Sequence, residues 1–207
     1  MFKPLRMMFG IVLAGAALLV TPAQAIPLTA GGSITVGNLA FTIDNCTGVS
    51  CGAGSDFLVS GTTVTIQSAT GSGNFETASG IGGYADTRVI FTVTVTDGAF
   101  LNGVNLSVTG SGELTSAGET FLTTGGPAST ANISSPGGTN SVATANRVFN
   151  SKSQQISLDI AAQSTSTAPG SVKSVTQTFG VPEPASMALL AGGVAALLGL
   201  RQRRRNV

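Results

Sequence analysis

RVIFTVTVT, residues 88–96, decides how the rest of the chain is read. Val89, Phe91, Val93 and Val95 fall on one side of the chain and Thr92, Thr94 and Thr96 on the other. A period of two in β-branched and aromatic residues is the mark of a strand with one face buried and one face wet. QISLDI repeats it with Ile156, Leu158 and Ile160. Outward from these two, the same alternation marks strands at 33–43, 57–67, 104–110, 119–124, 141–149 and 171–179, separated by Gly, Asn, Asp and Ser. Between residues 26 and 180 no amphipathic stretch of ten residues has helical spacing. About eight short strands over roughly 150 residues predict an all-β domain, an antiparallel β-sandwich, with a jelly roll as one form it could take.

Several local expectations follow. TDGAFLNG, residues 96–103, has Asp97-Gly98 and Asn102-Gly103 and so the chemistry of a hairpin turn. Residues 123–141 lack apolar content and read as one long surface loop, and residues 161–171 as a second flexible stretch. Cys46 and Cys51 are the two cysteines of the chain. Their spacing is not Cys-x-x-Cys, and no histidine exists to complete a usual zinc set. In an oxidising compartment a structural disulfide is expected, worth roughly 2 kcal/mol for so short a loop.

The two ends differ from the body. Lys3 and Arg6 precede an apolar run, Met7 to Val20, and then Ala23 and Ala25 in an Ala-x-Ala arrangement. That is the layout of a secretory signal over residues 1–25, cut after Ala25. Export through the Sec translocon and removal by signal peptidase are implied. At the other end Ala185 to Leu200 carries no charge over 16 residues. As a helix it would reach about 24 Å, slightly short of a bilayer core, with the flanking residues making up the difference. Arg201, Arg203, Arg204 and Arg205 follow at once, and such a block stays on the cytoplasmic side. Just before the span stand Pro182, Glu183 and Pro184. The two prolines hold the tetrapeptide Val181 to Pro184 extended, a shape that a processing enzyme can read.

The ordered set of VPEPAS (181–186), MALLAGGVAALLGL (187–200) and RQRRR (201–205), behind a signal peptide, resembles the PEP-CTERM proteins, exported substrates of exosortase in Gram-negative bacteria. The resemblance covers about 27 residues and implies the following. Residues 181–207 are a sorting signal read at Pro-Glu-Pro by a membrane-embedded exosortase-type enzyme. The protein is transiently anchored in the inner membrane by its C-terminal helix. It then reaches the cell surface or medium, often in bacteria that make exopolysaccharide and biofilm. Family ectodomains are diverse, so the activity of residues 26–180 is not implied.

Chemistry is sparse in that ectodomain. With no histidine, Ser-His-Asp and Cys-His catalysis and histidine metal sites are excluded. A Ser-Lys dyad around Ser151, Lys152 and Ser153 competes with the plainer reading of a solvated lysine. Asp56, Glu76, Asp86, Asp97, Glu113 and Asp159 have the residue type for a carboxylate hydrolase, but spacing alone pairs none of them. GSGNFE (71–76) and GIGGYAD (80–86) lack the lysine and the strand-turn-helix setting of phosphate loops and read as turns. Asp44, Asp97 and Asn102 could meet calcium, though no EF-hand or nonapeptide repeat is present. Asn45, Asn105 and Asn132 match the bare N-glycosylation sequon, and O-linked sugar on the Ser/Thr loops is a comparable expectation. Residues 26–181 hold four positive against eight negative side chains, a net of about −4, so no nucleic-acid partner is expected. No cofactor, metal site or catalytic residue is assigned. A non-enzymatic surface or extracellular-matrix protein is expected first, a carbohydrate-binding sandwich with a groove lined by Tyr84, Phe and Asn/Asp second, and a secreted carboxylate hydrolase third.

Overall fold

The computed structural model describes residues 22–70, 73–78, 80, 82–123, 129–135, 141–164, 169–181 and 193. They form an all-β fold of two antiparallel sheets packed face to face. The strands in chain order are β1 (Gln24–Leu28), β2 (Ser33–Val36), β3 (Leu39–Gly48), β4 (Gly52–Ser60), β5 (Thr63–Ser68) and β6 (Glu76–Thr77). They continue with β7 (Tyr84–Val95), β8 (Leu101–Phe121), β9 (Ser129–Ser135), β10 (Ser141–Ser151), β11 (Ser153–Gln163) and β12 (Ser171–Gly180). Sheet I runs β1-β4-β5-β12-β8-β10, with β6 added beside β12, and sheet II runs β2-β3-β7-β11-β8-β9.

The alternation in residues 88–96 does what its period requires. Val89, Phe91, Val93 and Val95 are buried, and so are Ile156, Leu158 and Ile160 on the neighbouring β11. The two sheets meet on four phenylalanines, Phe41 and Phe91 from sheet II against Phe57 and Phe179 from sheet I. Their ring centroids lie 5.3 to 6.4 Å apart, tilted or edge-to-face, the arrangement aromatic quadrupoles favour.

β8 belongs to both sheets, which explains two departures from the sequence reading. Residues 104–110 and 119–124 were expected as separate strands, but the chain runs through as one strand of 21 residues. Its first half pairs β12 and β10, and its second half pairs β11 and β9. The inward residues change phase on the way, from Val104, Leu106 and Val108 to Thr115, Ala117, Glu119 and Phe121. A strand that passes from one layer to the facing layer must turn its other side inward. Gly110 stands at the change: a Cβ there would lie 2.2 Å from the Ser171 carbonyl oxygen.

Other expectations are corrected in detail. Residues 96–103 do not form a hairpin, because β7 ends in sheet II and β8 begins in sheet I. Asp97 organises that crossing, accepting from the Ala99 amide at 3.0 Å and from Asn38 Nδ2 at 2.9 Å. Residues 123–141 contain β9, which pairs with β8 despite its small polar composition. Of the expected second flexible stretch, residues 161–163 belong to β11 and Ser171 opens β12, while residues 165–168 lie outside the described residues. The segments 33–43 and 57–67 are hairpins rather than single strands, turning at Gly37 and Gly61, both with positive φ. The link from β3 in sheet II to β4 in sheet I is closed by the Cys46–Cys51 disulfide. Beside it Gly48, at φ 121°, allows the Asp86 carbonyl within 2.2 Å of where a Cβ would stand.

Candidate functional site at the two ends of the sandwich

β12 is the last strand before the Pro-Glu-Pro motif, and it is an internal strand. β5 bonds along one edge from Thr63 to Gln67 and β8 along the other from Gly103 to Ser111. Its inward side chains Val172, Val175, Gln177 and Phe179 are buried. Phe179 also donates its amide to the Thr62 carbonyl at 2.9 Å, and Val181 packs partly buried on the core. The fold is therefore held up to the residue before Pro182. At this end lies an open groove of about 690 Å³, lined by Asn102, Asn105, Asn146, Thr178, Phe179 and Gly180 among others. Asn105 donates across the strands to Asn146, and a side chain on Gly180 would meet Asn102 Oδ1 at 1.9 Å. Tyr84, expected with Phe and Asn/Asp in a glycan groove, does not line it, and neither does any Asp.

Pro182, Glu183, Pro184, Arg201, Arg203, Arg204 and Arg205 lie outside the described residues, as does the expected membrane helix apart from Gly193. Among the described residues no helix is long and apolar enough to cross a membrane.

The amino end is built differently. Residues 1–21 of the expected signal lie outside the described residues. Ala23 is exposed ahead of β1, and Ala25 is exposed within it, opposite Leu58. Among the described residues β1 is an edge strand that pairs only with β4. A cut after Ala25 falls inside β1, yet leaves Ile26, Pro27 and the fully buried Leu28 in place.

Of the candidate acids, the structure brings Asp86 and Asp159 near each other on adjacent strands on the outer face of sheet II, Asp86 opposite Ala161 and Asp159 opposite Arg88, with Glu76 close enough to feel both charges. Burial, then the Asp86 contact, holds the Asp159 carboxyl above its ordinary range, while Arg88 opposes the shift. Tyr84 stands near them, 65% exposed. Asp56 is on sheet I, opposite Pro27 and Gln67, and Glu76 is buried, with Thr87 Oγ1 donating to it at 2.8 Å. Desolvation lifts Glu76 to about 7 against that hydrogen bond, and the charges of Asp86 and Asp159 add to the rise.

The hydroxyl groups of Ser151 and Ser153 bond to the Ser153 carbonyl and to Thr94, while Lys152 lies over the Phe100 ring at 5.5 Å, so no Ser-Lys dyad is assembled. Asp44 accepts from Thr92 at 2.6 Å and Gln155 at 2.9 Å, apart from Asp97. Among the described residues no three His, Cys, Asp or Glu side chains converge as a metal site would need.

The sequence reading missed a buried polar pair, Glu119 with Gln177, joining the two sheets through the core. The signal was present: Glu119 falls in phase with Ala117 and Phe121, and Gln177 with Val175 and Phe179.

Residues 180–205 match the PEP-CTERM protein-sorting motif. The chain is thus a PEP-CTERM domain-containing protein, and the motif begins on the last residue of β12. No curated protein sequence matches the chain. Among solved structures, it is similar to an isomalto-dextranase of Arthrobacter globiformis complexed with panose (12% identity over 75% of this chain and 23% of that one, TM-score 0.32). It is also similar to the CBM35 of Cellvibrio japonicus Abf62 (15% identity, 77% of this chain and 97% of that one, TM-score 0.31). A third is the tailspike protein 4 of bacteriophage CBA120 (13% identity, 78% and 19%, TM-score 0.30).

Proposed function

We propose that this chain is an exported surface or extracellular-matrix protein, not an enzyme, whose β-sandwich is delivered by exosortase processing and associates with exopolysaccharide or biofilm. The observation that carries the reading is the sorting motif at 180–205, continuous with β12. In this account the Sec translocon exports the chain and signal peptidase cuts after Ala25. The apolar span then holds the protein in the inner membrane with Arg201 to Arg205 in the cytosol. An exosortase-type enzyme reads Pro182, Glu183 and Pro184. Because β12 lies between two strands, fraying it would expose buried Phe179 and break both ladders, so the enzyme reads the chain beyond Gly180 and leaves the fold whole.

Deleting Pro182 to Pro184 tests this. The deleted protein is expected uncut in the inner-membrane fraction; unchanged release to the surface or medium would refute the sorting role.

The carbohydrate-binding reading has one observation in its favour, an exposed tyrosine beside two carboxylates on the outer face of sheet II. An aromatic face with adjacent hydrogen-bonding acceptors suits a sugar ring. Retention on the host's own polysaccharide that Tyr84→Ala abolishes would support it, and no retention of the native protein would remove it. A carboxylate hydrolase has less support, since Glu76, the third acid near Asp86 and Asp159, is buried and held by Thr87.

A further inference from the structure

Glu119 and Gln177 are both buried, one from the second half of β8 in sheet II and the other from β12 in sheet I. Gln177 Nε2 donates to Glu119 Oε1. That leaves Glu119 Oε2 and Gln177 Oε1, both sealed from solvent and without a partner among the described residues. Both orphans are acceptors, so neither can satisfy the other, and each buried orphan costs about 1–3 kcal/mol. A single proton resolves both.

We propose that Glu119 is protonated in the folded protein and closes a neutral acid–amide ring with Gln177, a lock between the two sheets that opens when the proton leaves. In the closed ring Gln177 Nε2–H donates to Glu119 Oε1, and Glu119 Oε2–H donates to Gln177 Oε1. Deprotonation removes the second bond and places a bare charge between the layers. Gln177 is on β12, so the lock fastens the strand that leads into the sorting motif.

The surroundings favour the neutral form. β11 turns Gln154, Ile156, Leu158 and Ile160 inward and keeps Asp159 on the outer face. β12 turns in Val172, Val175 and Phe179, with Lys173 exposed. β5 contributes Val64 and Ile66, and β9 holds no titratable residue. β10 brings Arg147, whose guanidinium stacks on Phe121 at 5.6 Å. Desolvation accordingly lifts the Glu119 carboxyl to about 7, with the Gln177 bond opposing.

The exported protein, purified from its host, gives the test. Glu119→Gln preserves the ring, because the new amide can donate to Gln177 Oε1, and it removes the titration. Urea unfolding between pH 5 and pH 8 is expected to show the native protein losing stability as pH rises. Glu119→Gln should cancel up to tenfold in the unfolding constant per pH unit between about 5 and 7. An unchanged slope in the variant overturns the proposal. A second measurement needs no variant: the assigned Glu119 carboxyl carbon, followed by NMR, should titrate near neutrality. Titration in the ordinary carboxylate range overturns the proposal equally.

Discussion

The sandwich meets the two ends of the chain through unlike strands. β1, at the amino end, is a five-residue strand bonded on one side among the described residues, with Pro27 in it. β12, next to the sorting motif, has ten residues, ladders on both sides and Phe179 in the aromatic centre of the core. The amino end can lose Gln24 and Ala25 and keep its deep contact at Leu28. The carboxyl end gives up no residue so cheaply until Val181 is passed. An edge strand tolerates a cut inside it, whereas an internal strand confines processing to the chain beyond it.

The largest expected effect sharpens that contrast. Phe179→Ala removes a ring packed on Phe41 and Phe91 and should lower stability by about 3–5 kcal/mol in denaturant unfolding. A loss under about 1 kcal/mol would break the claim that β12 is a core strand.

pH comes next. Glu76 and Glu119 both have folded-state pKa values raised to about 7, chiefly by desolvation. The folded state therefore holds these protons where the unfolded chain has released them. Their contribution is full below about pH 4.5, is lost as pH rises through about 7, and changes by up to tenfold in the unfolding constant per pH unit for each group. Urea midpoints measured from pH 4 to pH 8 should fall; a rise over that range would contradict the burial of both carboxyls.

Smaller again is the clasp at the β3–β4 crossing. Replacing both Cys46 and Cys51 by serine should cost about 2 kcal/mol, read as a lowered thermal midpoint that added reductant reproduces in the native protein. The smallest effect is expected at the amino end. Ile26→Ala, in the half-buried edge strand, should cost about 1 kcal/mol or less. A cost equal to that of Phe179→Ala would erase the difference between the two ends.

Much of this was legible in the chain. Alternation at 88–96 and 155–160 named the inward residues of β7 and β11, because strands with one dry face must alternate. The Cys46–Cys51 pair followed from spacing and compartment. Hydrophobicity could not reveal β9, whose STANISS sequence is mostly small and polar and yet pairs with β8. Nor does turn chemistry at Asp97-Gly98 say whether the next strand lies alongside or across the sandwich. The phase change in β8 was visible from Val108 to Ala117, but it has meaning only once two layers are known. At the candidate site, the order of Pro-Glu-Pro, apolar span and arginines was fully present in sequence. The internal position of β12 was not, since strand order is decided by contacts far apart in the chain.

Mass spectrometry of the protein exported by its own host tests the central claim most directly. The account predicts a mature chain that starts at Ile26, retains β12 through Gly180 and lacks Arg201 to Arg205. A carboxyl terminus inside β12, or the arginines still attached to protein recovered from the medium, would contradict it.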